Sequence, residues 1–195
     1  MNVSLFPKSW DTSPSAEYQI DEILQLIKEG EWQDPVLSYR FLAEKFSKRS
    51  PQATNAKKNL PAFTVSGTFT ERKDSGLIKH SGFVAIDIDD LNDVDKCTSI
   101  VKTDPYIYAS FVSAGGHGLC LIIKVDPTEH KENKTELFDQ FKEYFEQRHD
   151  IQIDKLQDIS RLRFVSFDPY LYKANISRTF RIGSEQAKEI NINGQ

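Results

Sequence analysis

Apolar residues recur at helical spacing in three stretches of the chain. The pattern predicts helices over 17–28, where Gly30 closes the run, over 35–46, and over 136–149. A shorter helix is predicted over 91–103. The positions predicted to be buried are Tyr18, Ile20, Ile23, Leu24 and Ile27 in the first helix, Val36, Leu37, Tyr39, Phe41, Leu42 and Phe46 in the second, and Leu137, Phe138, Phe141, Tyr144 and Phe145 in the third.

Runs of β-branched and aromatic residues, bounded by turn-forming residues, predict strands. The polar stretch 1–15 predicts a tether or an extended edge segment, and the basic stretch 47–59 predicts a loop. The predicted strands are 60–69, 82–89, 105–113, 118–126 and 161–168, with a short extended piece at 151–154.

From residue 82 to residue 168 the predicted order is strand, helix, strand, strand, helix, strand. That order is the split βαβ arrangement of ferredoxin-like and RNA-recognition-motif folds. We therefore expect an α+β protein with one domain of two lobes, an N-terminal αβ lobe over 1–80 and a catalytic lobe over 81–182, followed by a flexible tail over 183–195. Because many unrelated functions use this fold, function has to be inferred from the site.

Composition changes this picture little. Hydrophobic residues make up 38% and charged residues 28% of the 195 residues, as in an ordinary globular protein. The net charge of −4 argues against an overall basic coat but allows a local basic cleft. Cys97 and Cys120 are expected to be free buried thiols. With no secretory signal and no long apolar run, the chain is expected to be cytoplasmic and without a membrane partner.

The first chemical feature is the pair Asp87 and Asp89 at the end of an apolar strand. Alternation along a strand places both carboxylates on one face, where they repel each other unless a cation lies between them. Oxygen ligands of this kind suit Mg²⁺ or Mn²⁺ in a two-metal site. The alternative is a solvated acidic strand end, with Asp90 or Asn92 capping the following helix.

The second feature is the turn from Ser113 to Gly118. Glycines in this turn, including Gly115 and Gly116, let the backbone approach a ligand closely. Backbone N–H groups, the Ser113 hydroxyl and the His117 imidazole would then form a cradle for phosphate oxygens. The alternative is a glycine-rich hairpin that carries a surface histidine.

The third feature follows the third predicted helix. Asp154 ends a short extended segment, and Arg161 and Arg163 have the same-face spacing of a strand. Paired guanidinium groups suit phosphate binding. The alternative is that the arginines are edge-strand surface charges, paired with Asp158 or Asp168.

The basic stretch 45–58 offers further cationic side chains. They could follow the backbone of a nucleic-acid template, or they could be the solvated charges of a loop. The residues considered for template contact are Lys48, Arg49, Lys57 and Lys58, together with Lys45 at the start of the stretch.

Three motifs in this order resemble those of the archaeo-eukaryotic primase superfamily. They are AIDID at 85–89, SAGGH at 113–117 and IDKLQDISRLR at 153–163. LPAFTVSGTF, HSGFVAIDIDD and DISRLRFVSFDPYLY resemble, more narrowly, the bacterial primase–polymerase domain of the VirE N-terminal domain family. The narrower resemblance covers roughly residues 50–180.

The resemblance implies a primase–polymerase fold, in which a ferredoxin-like or RNA-recognition-motif-like catalytic half packs against the N-terminal lobe. It implies a nucleotidyltransferase that makes or extends primers from nucleoside triphosphates on a single-stranded DNA template, with a helicase domain or protein as a further partner. The implied site residues are Asp87, Asp89 and Asp154 as catalytic ligands of Mg²⁺ or Mn²⁺, His117 with Ser113, Gly115 and Gly116 at the nucleotide phosphates, and Arg161 and Arg163 along the nucleotide or template site. The chain departs from the family pattern at Cys120, where relatives often carry a lysine.

Two other functions remain open. A degenerate domain of this kind would bind single-stranded nucleic acid without catalysis, although a pure binder has no need of two paired acids. A phosphatase of the haloacid-dehalogenase type is suggested by AIDIDDL at 85–91, which is similar to a strand-terminal nucleophile motif. That fold needs alternating parallel strand–helix units, and the hairpin predicted over 105–126 argues against it.

Overall fold

The computed structural model describes residues 1–154 and 158–183. The tail predicted over 183–195, apart from Gly183, and residues 155–157 of the third motif lie outside the described residues. Helices and strands are mixed along the chain, which confirms the α+β class. The strands are β1 (Asn2–Phe6), β2 (Ala16–Gln19), β3 (Ala62–Thr64), β4 (Gly67–Phe69), β5 (Leu77–His80), β6 (Phe83–Ile88), β7 (Ile107–Val112), β8 (Leu119–Val125), β9 (Leu162–Phe164), β10 (Tyr172–Lys173) and β11 (Thr179–Phe180). The helices are α1 (Ile20–Glu29), α2 (Gln33–Phe46), α3 (Pro51–Lys58), α4 (Val94–Val101), α5 (Pro127–Glu132) and α6 (Lys134–His149).

The first sheet has the antiparallel order β2-β1-β3-β9. The prediction of a tether or edge segment over 1–15 is therefore wrong, because β1 lies inside this sheet between β2 and β3. Val3 and Phe6 are fully buried there. The five residues of β1 are too few for the alternation of a strand to be recognised beside polar neighbours. Only the pairing with β3, which is distant in sequence, identifies this strand.

The second sheet contains the first three strands of the predicted split βαβ arrangement, β6, β7 and β8. β8 pairs antiparallel with β6 on one side and with β7 on the other, so β6 and β7 run parallel and are joined through α4. β10 extends the sheet beyond β7, and β11 pairs parallel with the end of β8. Two strands that run in the same direction end at the same edge of a sheet, so the residues that follow β6 and β7 lie close together.

The last predicted strand does not join the second sheet. β9 is shorter than the predicted 161–168 and pairs with β3 of the first sheet. Two other groups occupy backbone acceptors of β6: Arg163 Nη2 donates to Ala85 O at 2.9 Å, and the Asp154 N–H donates to Asp87 O at 3.1 Å. These hydrogen bonds satisfy carbonyls of β6 in place of a neighbouring strand.

The loop predicted over 47–59 is also wrong, because most of this stretch forms α3. The Ser50 side chain accepts a hydrogen bond from the Ala53 N–H, and Pro51 occupies the first turn. Serine and proline suggest a loop, but at these two positions they are the preferred start of a helix. Ala53 is fully buried and anchors α3 to the core.

Helix α2 forms nearly where it was predicted, but its buried side is narrower. Val36 and Tyr39 are buried, whereas Leu37, Phe41 and Phe46 are 41%, 59% and 44% exposed. The predicted burial of these three side chains is therefore wrong. In contrast, the predicted apolar face of α6 is buried as a whole.

The second sheet separates two hydrophobic cores. Val84, Ile86 and Ile88 pack with α4 and α6, while Phe83 and Ala85 pack against the first sheet and α1. Strand alternation therefore directs Asp87 toward the first sheet. Cys97 and Cys120 are free and buried, as predicted. Among residues 1–154 and 158–183, no helix combines the length and apolarity needed to cross a membrane.

A pair of histidines, half-buried His80 and buried His130, connects β5 to α5. His80 Nε2 lies 2.8 Å from His130 Nδ1, and the Gly82 N–H donates to His80 Nδ1 at 2.9 Å. Because His80 Nδ1 is an acceptor, His80 Nε2 carries the proton and donates it to His130. Burial lowers the pKa of His80 to about 4 and the pKa of His130 to about 3, so both rings are neutral at neutral pH.

The histidine pair predicts a loss of stability in acid. The pKa of each histidine in the unfolded chain is about 6.5, so the unfolded chain takes up protons first as the pH falls. The stability that the two neutral histidines contribute is present in full well above pH 6.5. It is lost progressively as the pH falls toward their pKa values in the folded state. We expect the free energy of unfolding in urea to fall by about 2 to 4 kcal/mol between pH 7 and pH 5. The variant His80→Asn/His130→Gln should lose clearly less, and an equal loss in the variant would contradict this assignment.

Candidate functional site

A cleft of about 390 Å³ lies between the two sheets, where β6 and β7 end. Most of the predicted site residues line this cleft: Lys48, Lys57, Asp87, Asp89, Ser113, Gly115, His117, Arg161 and Arg163. The predicted residues Gly116, Asp154, Arg49 and Lys58 are not among its lining. Residues from four separate parts of the chain therefore meet at one edge of the second sheet.

The acids occupy the end of β6 and the turn that follows it. Asp87 lies directly across from Cys120 of β8, and Asp90 has the left-handed φ of 51° that turns the chain away from the strand. Burial, together with the carboxylates of Asp87, Asp154 and Asp90, raises the pKa of Asp89. Negative charge is thus concentrated where a cation would be most stabilising. The suggested caps Asp90 and Asn92 are not used, because Asp93 caps α4.

Asp154 is placed beside Asp87 through its backbone. The Asp154 N–H donates to Asp87 O. The preceding residue, Ile153, is hydrogen-bonded to side chains of α6 through both its carbonyl oxygen and its N–H. Lys142 Nζ donates to Ile153 O at 2.8 Å, and the Ile153 N–H donates to Glu146 Oε1 at 3.0 Å. Ile153 itself is buried. The segment 151–154 is therefore held against α6. The backbone of Asp154 lies beside the acidic end of β6, and its side chain is exposed.

The glycine-rich turn between β7 and β8 is closed by its own backbone. The Ser113 N–H donates to Gly118 O at 2.8 Å, and the Gly116 N–H donates to Ser113 O at 2.9 Å. The Leu91 N–H donates to His117 O at 2.8 Å, which connects this turn to the acidic turn after β6. The His117 side chain remains exposed. The turn thus presents backbone and imidazole groups beside the acids.

Arg40 of α2 is hydrogen-bonded to the backbone of the glycine-rich turn. Its guanidinium donates to Ser113 O at 3.1 Å and to Ala114 O at 3.3 Å. The same group donates to Ser166 Oγ at 3.2 Å and to Phe167 O at 3.1 Å. Sequence reasoning missed this residue, because the only local signal was a cationic residue beside buried Tyr39 and its acceptors are distant in sequence.

Arg163 is the buried cation of the cleft. It is only 7% exposed, and its Nε lies 3.4 Å from Asp87 Oδ1. Among the described residues, Arg163 Nε is one of the few buried side-chain nitrogens that has no hydrogen-bond partner. Arg161 precedes β9 and is exposed, so the two arginines line the cleft at different depths. The prediction that both lie on one strand is therefore correct only for Arg163.

Two lysines from the N-terminal part complete the cationic side. Lys48 Nζ forms an exposed ion pair with Asp90 Oδ1 at 2.5 Å, which raises the pKa of Lys48 and lowers the pKa of Asp90. Lys57 of α3 lies 5.1 Å from the ring centre of Phe164 and 5.9 Å from that of Tyr39. Tyr39 and Phe164 also line the cleft, and neither was among the predicted site residues.

Cys120 lies at the floor of the cleft. Burial raises the pKa of its thiol, and the Asp87 carboxylate raises it further. The thiol therefore stays protonated at neutral pH and acts as a small buried side chain. Within residues 1–154 and 158–183, no three His, Cys, Asp or Glu side chains are grouped closely enough to form a ready metal site.

The fold and the site define an α+β protein with an acidic and cationic cleft between two sheets. A family model described as "BT4734-like, N-terminal domain" matches residues 55–172, which is more than half of the chain and includes most of the cleft residues. The chain therefore belongs to the BT4734-like N-terminal domain family. No curated protein and no solved structure matched it.

The contact between the two turns predicts different effects for two neighbouring glycines. A Cβ at Gly118 would lie 2.4 Å from Ile88 O, so Gly118→Ala must push the glycine-rich turn away from β6. A Cβ at Gly115 would have no neighbour closer than 3.8 Å. We expect Gly118→Ala to lower the free energy of unfolding by about 1–3 kcal/mol, as overpacking does. The matched control Gly115→Ala should change it by less than about 0.5 kcal/mol. Equal stability of the two variants in urea unfolding would contradict the close approach.

Proposed function

We propose that this chain is a divalent-metal-dependent nucleotidyltransferase of the primase–polymerase type, which makes or extends primers from nucleoside triphosphates on a single-stranded template. One observation carries the proposal. The paired acids at the end of β6 share a single cleft with the glycine-rich turn, with Arg163 of β9 and with Arg161, which precedes β9. Phosphoryl transfer needs these components together, because it depends on charge stabilisation and on positioning.

The proposal includes the finer fold. The parallel pair β6 and β7, with antiparallel β8 between them and helices α4 and α6 on one face, supports an RNA-recognition-motif-like catalytic half. The first sheet and α1 to α3 are the N-terminal lobe in this interpretation. The antiparallel position of β8 disfavours the phosphatase alternative, whose strands near the nucleophile would all be parallel.

The acids fit a divalent cation of the Mg²⁺ or Mn²⁺ kind. Their ligand atoms are carboxylate oxygens. The pKa of Asp89 is raised first by burial and then by repulsion from the neighbouring carboxylates, which a cation would relieve. Asp87 and Asp89 would hold the ion, with Asp154 as the third acid. When bound, such an ion would activate the attacking oxygen and stabilise the leaving pyrophosphate.

The other cleft residues have separate roles in this proposal. The Ser113 hydroxyl, His117 and backbone N–H groups of the glycine-rich turn would bind the triphosphate of the incoming nucleotide. The buried Arg163 Nε, which has no hydrogen-bond partner among the described residues, and the exposed Arg161 would donate to phosphate oxygens. Lys48 and Lys57 would offset the remaining negative charge of substrate and template. The protonated Cys120 thiol adds no charge to these cleft residues.

A catalytically inactive nucleic-acid-binding module is the second candidate. It is favoured by the ion pairs of Asp87 with Arg163 and of Asp90 with Lys48, because these pairs neutralise acidic groups without a metal ion. In this case the cleft would bind a polynucleotide backbone through its lysines and arginines alone.

Primer synthesis and extension on a single-stranded template distinguish the two candidates. Removing the carboxylates in Asp87→Ala/Asp89→Ala should lower the rate with Mg²⁺ or Mn²⁺ by at least about a hundredfold, since a bound metal contributes several kcal/mol to such a reaction. Asp95→Ala is the matched control, because it removes an exposed carboxylate of α4 outside the cleft, and it should leave the rate unchanged.

The outcomes separate clearly. Wild-type activity that survives the double substitution would rule out the metal assignment. Binding of single-stranded DNA without synthesis in either metal would favour the binding module. Release of phosphate from simple phosphate esters, abolished by Asp87→Ala, would instead support the phosphatase.

A further inference from the structure

Helix α2 carries exposed aromatic and basic side chains on the side that does not face the core. Phe41 is 59% exposed and Phe46 is 44% exposed, and Leu37 lies one turn before Phe41. Lys45 Nζ lies 5.5 Å from the ring centre of Phe41 and 5.2 Å from that of Phe46. We call Leu37, Phe41, Lys45 and Phe46 the α2 surface.

The α2 surface lies on a different side of the helix from the residues that pack in the core. Residues 37, 41 and 45 are spaced by four, so they lie along one side of the helix, while Val36 and Tyr39 are buried on another. Both phenylalanines keep about half of their area in contact with water, although rings of this size contribute most when buried. Exposed apolar residues grouped around a cation are typical of binding surfaces.

Charge indicates what kind of partner fits. Lys45 lies on the α2 surface itself, and Lys48 and Arg49 follow directly after the helix. Among the neighbouring acids, Asp34 lies in the first turn of α2, Glu44 lies beside Lys45, and Asp90 pairs with Lys48, so the cationic side chains are concentrated at the C-terminal end of the helix. A partner with flat apolar faces and a regularly spaced negative charge matches this combination. Single-stranded polynucleotides have both features, since their bases stack on aromatic rings and their phosphates pair with lysine and arginine.

The α2 surface is continuous with the cleft. Tyr39, from the same helix, and Lys48, two residues after Phe46, both line the cleft. Lys48 reaches Asp90 at the end of the acidic turn. A strand bound on the α2 surface would therefore pass over Lys48 toward Asp89 and the glycine-rich turn. A separate protein partner would have no reason to be guided into this cleft.

We propose that the α2 surface binds a single-stranded polynucleotide, with bases stacked on Phe41 and Phe46 and phosphates held by Lys45 and Lys48, and that it leads the strand into the cleft. The identification of this strand as the template rests on the proposed nucleotidyltransferase function. Binding itself needs no metal ion, no nucleotide and no catalysis, so it can be tested independently of that function.

The test is the fluorescence anisotropy of labelled oligodeoxythymidine and oligouridine, each about 12 nucleotides long, with chelator present and all acids intact. We expect Phe41→Ala/Phe46→Ala to weaken binding at least about tenfold, because base–aromatic stacking is lost. Phe41→Tyr/Phe46→Tyr preserves the rings and should bind within about twofold of wild type. Comparison of the two oligonucleotides distinguishes DNA from RNA as the preferred strand.

Tyr170→Ala is the matched control. This tyrosine is 84% exposed and lines a separate cavity with Lys173, so its removal should not affect binding. The proposal is overturned if wild type binds neither oligonucleotide, or if Phe41→Ala/Phe46→Ala binds as tightly as wild type. It is also overturned if the double variant only abolishes self-association in sedimentation, which would make the α2 surface a contact between copies. None of these results depends on the Asp87→Ala/Asp89→Ala activity assay, so the two proposals can fail separately.

Discussion

The buried Arg163 guanidinium is the interaction on which the arrangement of the cleft depends. Arg163 belongs to β9 of the first sheet, yet it donates to Ala85 O of β6 in the second sheet and lies beside Asp87. One side chain thus joins the two sheets, satisfies a backbone carbonyl of β6 and compensates an acid. Removing Arg163 would leave the Ala85 carbonyl and the partly exposed Asp87 carboxylate without this partner, and an unsatisfied buried carbonyl costs free energy.

Around Arg163 the cleft brings opposite charges together without fully pairing them. Acids cluster at the end of β6, where burial and mutual repulsion raise the pKa of Asp89. Cations approach from β9, α3 and the end of α2, while Arg40 is occupied in supporting the glycine-rich turn. This distribution explains how a chain with a net charge of −4 can still offer cationic groups to a polyanion. The same distribution agrees with a site in which the acids bind a cation and the lysines and arginines bind an anion.

Sequence alone predicted the parts of the cleft that depend on local spacing. Asp87 and Asp89 follow from strand alternation, and the glycine-rich turn follows from its composition. It did not predict contacts between distant residues, such as those of Arg40 with Ser166 and Phe167 or the pairing of β9 with β3. It also misjudged α2, because aromatic residues on several sides of a helix do not reveal which side faces the core. The functional roles of the cleft residues remain predictions.

In the proposed function, the acids of β6 and the glycine-rich turn form one site for a metal ion and a nucleoside triphosphate. A crystal structure with Mn²⁺ and a non-hydrolysable nucleoside triphosphate tests it most directly, because Mn²⁺ is located by its anomalous scattering. We expect manganese bound by Asp87 and Asp89, with the triphosphate against Ser113 and His117. Manganese and nucleotide bound elsewhere, with the cleft acids still paired only to Arg163 and Lys48, would contradict it.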